Sequence, residues 1–257
     1  SPDTVSWAFR WQFRLWLARS LRVADHVVCV SAWTRAQLLS CHPELDASRV
    51  SVVHNGVDHA LPAPLDPVSQ AWLRSLGLPD RWVLFAGALD ARKNVGLVLD
   101  ALERLGAAAP TLVLAGQRWY GAGPLERRLA VLRGRGLDIR PIGFLAEPLL
   151  WTLMSAAPVF VFPSRDEGFG LPPLEAMSLG TPVIVSTAAA LPEVCGDAAV
   201  QIDPDDADAL ATALQRLLDD PAERARRAEA GRARARSFRW DATAAHLLEV
   251  YRSLLPT

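Results

Sequence analysis

From residue 22 onward, short runs of Val, Leu and Ile alternate with stretches of helical periodicity. The spacing predicts strands at 26–31, 50–54, 81–87, 111–116, 139–143, 159–163, 182–186 and 198–202. These runs do not alternate polar with apolar positions, the pattern expected of parallel strands covered on both faces. The intervening helices carry readable ends. Asp66-Pro67 supplies a cap and a first-turn proline to a helix over 68–76, and Gly77 closes it. Gly106 follows a helix over 95–105, and Asp203-Pro204-Asp205 opens one over 206–218. The alternation predicts an α/β fold with a doubly wound parallel sheet, and the sequence shows no internal repeat.

The units are unevenly distributed. Residues 78–239 hold enough of them for a complete Rossmann-like domain, while 1–57 hold only a helix, a strand, a helix and a strand. Two strands do not build an independent core, so 1–57 reads as the remnant of another domain whose first part is absent. Residues 58–77, with Pro62, Pro64 and Pro67, read as a linker and first helix, and 240–257 as a terminal helix. In the first predicted helix, Trp7, Trp11, Leu15 and Ala18 form one stripe; Phe9, Phe13, Trp16, Leu17 and Leu21 fill the opposite side. A helix apolar nearly all round expects neighbours on most faces. Arg10, Arg14, Arg19 and Arg22 admit a rival reading as a membrane-surface helix. The Arg-rich stretch 222–239 reads most simply as a solvated helical face.

Composition narrows the function classes. A formal net charge of −1 gives no electrostatic pull toward nucleic acid. The 3 cysteines, Cys29, Cys41 and Cys195, are too widely spaced for a metal cluster or a disulfide framework, which fits a cytoplasmic setting. The 5 histidines are scattered, and no metal site is expected. No apolar run reaches the roughly 18 residues of a membrane span.

Two clusters carry the chemistry. Residues 162–186 join Glu167 to the turn Gly168-Phe169-Gly170, then to Leu171, a proline pair and a helix bearing Glu175, with Gly180 at its end. A glycine turn at a helix start leaves backbone N–H groups for an anion, and two acids beside it can hold hydroxyls. The second cluster, Gly87 to Asn94, follows the first strand of the complete domain and contains Arg92-Lys93. Ligands of open parallel sheets bind beyond the strand carboxyl ends, and adjacent cations there suit a diphosphate. Two cations near the positive end of a helix dipole also require a compensating anion. Together the clusters read as a nucleotide-sugar site.

In order along the chain stand Ala24-Asp25-His26-Val27-Val28-Cys29-Val30-Ser31, Val53-His54-Asn55-Gly56-Val57-Asp58, Gly87 with Arg92-Lys93-Asn94, Gly116, Gly143-Phe144, Phe162-Pro163-Ser164, Glu167 to Pro172, Glu175-Ala176-Met177, Gly180-Thr181-Pro182-Val183, Leu191-Pro192-Glu193-Val194 and Gly196-Asp197-Ala198-Ala199. This series resembles the retaining glycosyltransferases of family 4, which have the GT-B architecture of two facing Rossmann-like domains; its Arg-Lys-Asn triplet is similar to the subgroup of mannosyltransferases. The resemblance implies that Arg92 and Lys93 bind the donor diphosphate and stabilise the leaving nucleotide, and that Glu167 binds donor-sugar hydroxyls. Gly87 and the N–H groups of Phe169, Gly170 and Leu171 would line the donor, and Glu175 would hold the ribose. It implies a GDP-mannose or UDP-sugar donor as substrate, no metal or other cofactor, and a glycan or lipid-linked acceptor. It further implies a cytoplasmic enzyme with peripheral contact at the inner membrane face, and an N-terminal half present elsewhere, as a separate chain included. The chain departs from the family at Ala88, where an arginine is common, and contains no counterpart of the acceptor-domain histidine. The rival readings are a donor-binding module without transfer activity, and an epimerase or phosphorylase on the same architecture. A phosphorylase needs a pyridoxal-phosphate lysine, and Lys93 is the sole lysine in the chain.

Overall fold

The computed structural model describes residues 7–58, 67–117 and 123–255. In chain order the elements are α1 (Trp7–Val23), β1 (Val27–Cys29), α2 (Ala32–Cys41), β2 (Val50–Val52), α3 (Pro67–Ser75), β3 (Trp82–Ala86), α4 (Val95–Leu105), β4 (Thr111–Ala115), α5 (Gly123–Gly134), β5 (Ile139–Gly143), α6 (Glu147–Ala156), β6 (Phe160–Phe162), α7 (Leu171–Ser178), β7 (Val183–Ser186), α8 (Leu191–Cys195), β8 (Val200–Ile202), α9 (Ala207–Asp219), α10 (Pro221–Ala235) and α11 (Trp240–Leu254). All eight predicted strands are present, seven of them shorter by one or two residues at one or both ends, and β5 with the bounds expected. The expected Asp66 cap of α3 lies outside the described residues.

Six strands form one parallel sheet in the order β5-β4-β3-β6-β7-β8. Every residue of β3, β4, β6 and β7 is buried, which is why these runs are apolar without alternation. Phe85, Phe160 and Phe162 stack in the centre of the sheet, with centroid separations of 6.1 and 6.0 Å. The chain leaves β3 toward β4 and leaves β6 toward β7, so the sheet order reverses between β3 and β6. The carboxyl ends of these two strands therefore open a crevice. Local caps place the outer helices: Asp206 accepts from the Ala209 N–H at the start of α9, and Asp220 from the Glu223 N–H at the start of α10.

Strands β1 and β2 form a separate two-stranded parallel sheet, in register from Val27↔Val50 to Cys29↔Val52. It adjoins the larger unit where the chain crosses twice. The Val57 N–H donates to the Phe238 carbonyl at 3.0 Å, and Thr243 at the start of α11 donates its hydroxyl to the His54 carbonyl at 2.7 Å.

Three surface expectations meet different outcomes. The Arg-rich stretch is not simply a solvated face: α10 buries Ala228, Gly231 and Ala235. Gly231 lies so close to Met177 on α7 that a Cβ would come within 3.2 Å of its side chain. Arg227 and Arg234 donate to the carbonyls of Asp197 and Val194, so the arginines of this face work as ties to the α8 region. Helix α1 buries Leu21 and exposes Trp11, Leu15 and Trp16. Helix α11 likewise exposes Leu248, Tyr251 and Leu254. Among the described residues no helix is long and apolar enough to cross a membrane.

Candidate active site

The loop leaving β3 turns through a short 3₁₀ segment, Ala91–Lys93. Asp90 caps it by accepting from the Lys93 N–H at 3.0 Å. Asn94 then adopts a left-handed conformation with φ 56°, a region that asparagine tolerates better than most residues. Its side-chain amide donates to the carbonyls of Pro163 at 3.2 Å and Pro204 at 2.8 Å. The third member of the Arg-Lys-Asn triplet is thus a strut. It locks the β3 loop to the exit of β6 and aims the two cations into the crevice.

Both cations end on one oxygen. Glu167 Oε1 accepts from Lys93 Nζ at 2.6 Å, from Arg92 at 2.8 Å and from the Ser164 hydroxyl at 2.7 Å. Arg92 also donates to the Asp166 carbonyl at 2.8 Å, and its own carbonyl receives the Arg165 N–H at 2.8 Å. The compensating anion that the sequence demanded is supplied internally by Glu167. Lys93 is only 7 % exposed, and its ammonium stands 4.4 Å from the centre of the Phe162 ring. Burial pulls the Lys93 pKa below the ordinary lysine value, and the Glu167 charge opposes that shift without cancelling it.

Helix α7 begins directly after this carboxylate. Gly170 stands at its N-cap with φ 113°, and a Cβ there would sit 2.8 Å from Leu191 Cδ2, so the turn requires glycine. Phe169 is buried against His54 and Phe238, with centroids 5.8 and 5.7 Å away. No acceptor among the described residues takes the backbone N–H of Phe169, Gly170 or Leu171. These donors and the end of the helix dipole are available to an anion or a hydroxyl-rich ligand.

Glu175 stands one turn further along α7. It lines a cavity of about 300 Å³ with Gly87, Ala88, Gly116, Gln117 and Phe144. Gly116 has to be glycine because a Cβ would collide with the Gly87 carbonyl oxygen. The close approach of these two strand ends gives the cavity a floor of backbone. Trp119 and Tyr120, in the loop that follows Gln117, lie outside the described residues. The structure therefore brings together Arg92, Lys93, Glu167 and the Phe169–Leu171 amides, and it places Gly87 and Glu175 in an adjoining cavity. Among the described residues no cluster of His, Cys, Asp or Glu is arranged to hold a metal ion.

Sequence reasoning gave no role to Ser31, Thr34, Ser164 or Glu193. Ser164 is legible in retrospect, three residues before Glu167 at a strand end. The others act from far along the chain. Ser31 and Thr34 donate to the Gly168 carbonyl at 2.6 and 2.9 Å. Glu193 accepts from the N–H groups of Ala32 at 2.8 Å and Trp33 at 3.1 Å, and pairs with His54 at 2.8 Å. Burial alone would raise the Glu193 pKa. The bonds from Ala32, His54 and Trp33 together outweigh it and hold the carboxyl below its usual range.

Residues 70–234 match the family model of the glycosyl transferases group 1, and residues 2–61 match that of glycosyltransferase family 4. The chain belongs to the group 1 glycosyltransferase family, in the GT-B fold class. It is 37% identical over 177 residues to the O-antigen chain mannosyltransferase B of Escherichia coli, an alignment covering 67% of this chain and 46% of that protein. It is 32% identical over 262 residues to the alpha-maltose-1-phosphate synthase of Mycolicibacterium smegmatis, covering 95% of this chain and 67% of that one. The matched part of the chain thus spans between about half and two thirds of the length of these curated relatives. Among solved structures, the HepE protein of Anabaena, crystallised with UDP and glucose, superposes with a TM-score of 0.83 at 23% identity, covering 99% of this chain and 69% of that one. The sucrose-phosphate synthase of Thermosynechococcus elongatus superposes with a TM-score of 0.78 at 29% identity, covering 95% and 62%.

Proposed function

We propose that this chain carries the donor site of a metal-independent hexosyltransferase, which moves a sugar from a nucleoside diphosphate to a hydroxyl acceptor with retention. The observation that carries the reading is the convergence of Arg92, Lys93 and Ser164 on Glu167 at the β3/β6 reversal, one turn from the open amides of α7. An incoming diphosphate competes with Glu167 for the two cations. The released carboxylate then faces the hydroxyls of the sugar, and the Phe169–Leu171 amides face its oxygens. The nucleoside occupies the cavity beside Gly87 and Gly116, with its ribose hydroxyls on Glu175. Mannose is the favoured sugar, on the Arg92-Lys93-Asn94 triplet and the similarity to mannosyltransferases. The UDP complexes of the HepE protein keep uridine nucleotides in the comparison.

In the transfer step the bond from the anomeric carbon to the phosphate oxygen breaks, and the acceptor oxygen forms a bond to the same face of that carbon. The acceptor proton leaves on the departing phosphate. Arg92 and Lys93 stabilise the charge that builds on the leaving group, a contribution of several kcal/mol when donors are already in place. A glycan or lipid-linked hydroxyl is the acceptor. A second reading is donor binding without independent transfer; the exposed apolar side chains of α1 and α11, surfaces that a further domain can cover, favour it.

Calorimetry with GDP, UDP, GDP-mannose and UDP-glucose tests the donor site. One nucleotide series binds selectively, and Glu175→Ala and Lys93→Ala each weaken it by about tenfold or more, the scale of a lost charge-assisted contact. A folded chain that binds none of the four refutes the site. Turnover by the isolated chain given only donor and acceptor eliminates the second reading.

A further inference from the structure

The turn that follows Glu167 is held from outside the donor-binding unit. The Gly168 carbonyl receives the hydroxyls of Ser31 at 2.6 Å and Thr34 at 2.9 Å, both from the first turn of α2. The carbonyl has two lone pairs and accepts from both hydroxyls, which also lie 2.9 Å from each other. Ser31 is completely buried and at the same time caps α2, accepting from the Thr34 N–H at 3.0 Å. The next two orphan donors of that helix, Ala32 and Trp33, are taken by the Glu193 carboxylate. Glu193 belongs to α8, and the residue just before α8, Ala190, donates its N–H to the Glu167 carbonyl at 3.3 Å. Successive carbonyls of the turn, at 167 and 168, are thus fixed from two sides, and the helix gripping one side is itself gripped by the other.

We propose that Ser31, Thr34 and Glu193 are positioning residues for glycosyl recognition: the segment before Asp58 sets the aim of Glu167 and of the Phe169–Leu171 amides. The assignment rests on the donor-site reading above. Gly168 is exposed to solvent, so its carbonyl can turn to water when the hydroxyls are removed. Their loss therefore shows chiefly as lost alignment of the turn and much less as lost stability. The cavity beside Gly87, Gly116 and Glu175 touches none of these three residues, so recognition of the nucleoside is insulated from the hook.

The experiment compares Ser31→Ala/Thr34→Val, Ser31→Thr/Thr34→Val and Glu193→Gln with the wild-type chain. Kd is measured for GDP against GDP-mannose and for UDP against UDP-glucose, with an unfolding midpoint for each protein. The expected result in the first double variant is nucleotide affinity within about twofold of wild type. Its ratio of sugar-nucleotide Kd to nucleotide Kd rises by about fivefold or more. Restoring one hydroxyl in Ser31→Thr/Thr34→Val brings the ratio back toward wild type, and Glu193→Gln falls between them. An unchanged ratio in variants that still bind nucleotide overturns the proposal. So does an equal loss of both ligands, which marks the hook as merely structural. A wild-type chain that binds neither ligand refutes the donor-site reading itself, and this assignment with it.

Discussion

At the scale of single residues, the candidate site turns on the buried ion pair of Lys93 and Glu167. Lys93 and Glu167 expose 9 % and 11 % of their side chains, and Arg92 and Ser164 complete the shell around the shared oxygen. Burial disfavours the ammonium, while the carboxylate favours it. Removing the carboxylate charge therefore moves the lysine further in the direction burial already pushes it. Because Lys93 is the sole lysine, selective ¹⁵N-lysine labelling gives one side-chain signal to follow. Its titration midpoint falls below the ordinary value of about 10.4, and in Glu167→Gln it falls lower still. A midpoint that rises or stays put in that variant contradicts the pairing. The sign for stability follows: between the lowered folded pKa and the unfolded value, the unfolded chain binds more protons. This group alone therefore makes stability increase with pH across that alkaline window.

At the scale of elements, the start of α7 is where backbone geometry and chemistry coincide. Gly170 combines a left-handed φ with a side-chain wall at Leu191, so Gly170→Ala loses about 1–3 kcal/mol, read as a lower unfolding midpoint. Nucleotide-sugar binding weakens with it, because the displaced amides are the ones aimed at the ligand. This element was legible in the sequence, since glycine, proline and acid spacing are local signals that a strand-turn-helix unit has to satisfy within about 20 residues. The strands were legible for the same reason: burial on both faces writes an uninterrupted apolar run. What the sequence hid is the bonding between elements. Ser31 and Gly168 are separated by 137 positions and Ala32 and Glu193 by 161, and no periodicity links them. Helix α10 reads as solvated because alanine and arginine alternate along it. The burial of Ala228, Gly231 and Ala235, with Met177 against Gly231, shows which stripe is covered.

At the scale of the whole molecule, the smaller sheet and the six-stranded unit meet at a junction centred on Glu193 and His54. The His54 ring packs between Phe169 and Phe238 and holds the Glu193 carboxylate, which in turn holds α2. Other groups complete the junction: the Arg234 guanidinium donates to the Glu193 carbonyl, and Asp58 accepts from the Trp240 N–H at 2.9 Å. Because the Glu193 pKa is depressed in the fold, its contribution is present above the unfolded carboxyl value of 4.5 and is lost as pH falls through the folded one. The junction therefore loosens from about pH 4.5 downward, while the six-stranded core, built on apolar burial, persists further into acid. Glu193→Gln weakens the folded state at about pH 7 by about 1 kcal/mol or less, since the pair is partly exposed, and it flattens part of the acid limb. Urea midpoints of both proteins across that range, with hydrogen exchange at the amides of Ala32 and Trp33, measure the two effects together. Faster exchange at those two amides below about pH 4.5 in the wild type, with protection retained on β3 and β6, is the expected pattern. Equal acid sensitivity of the two proteins would place the labile contact elsewhere.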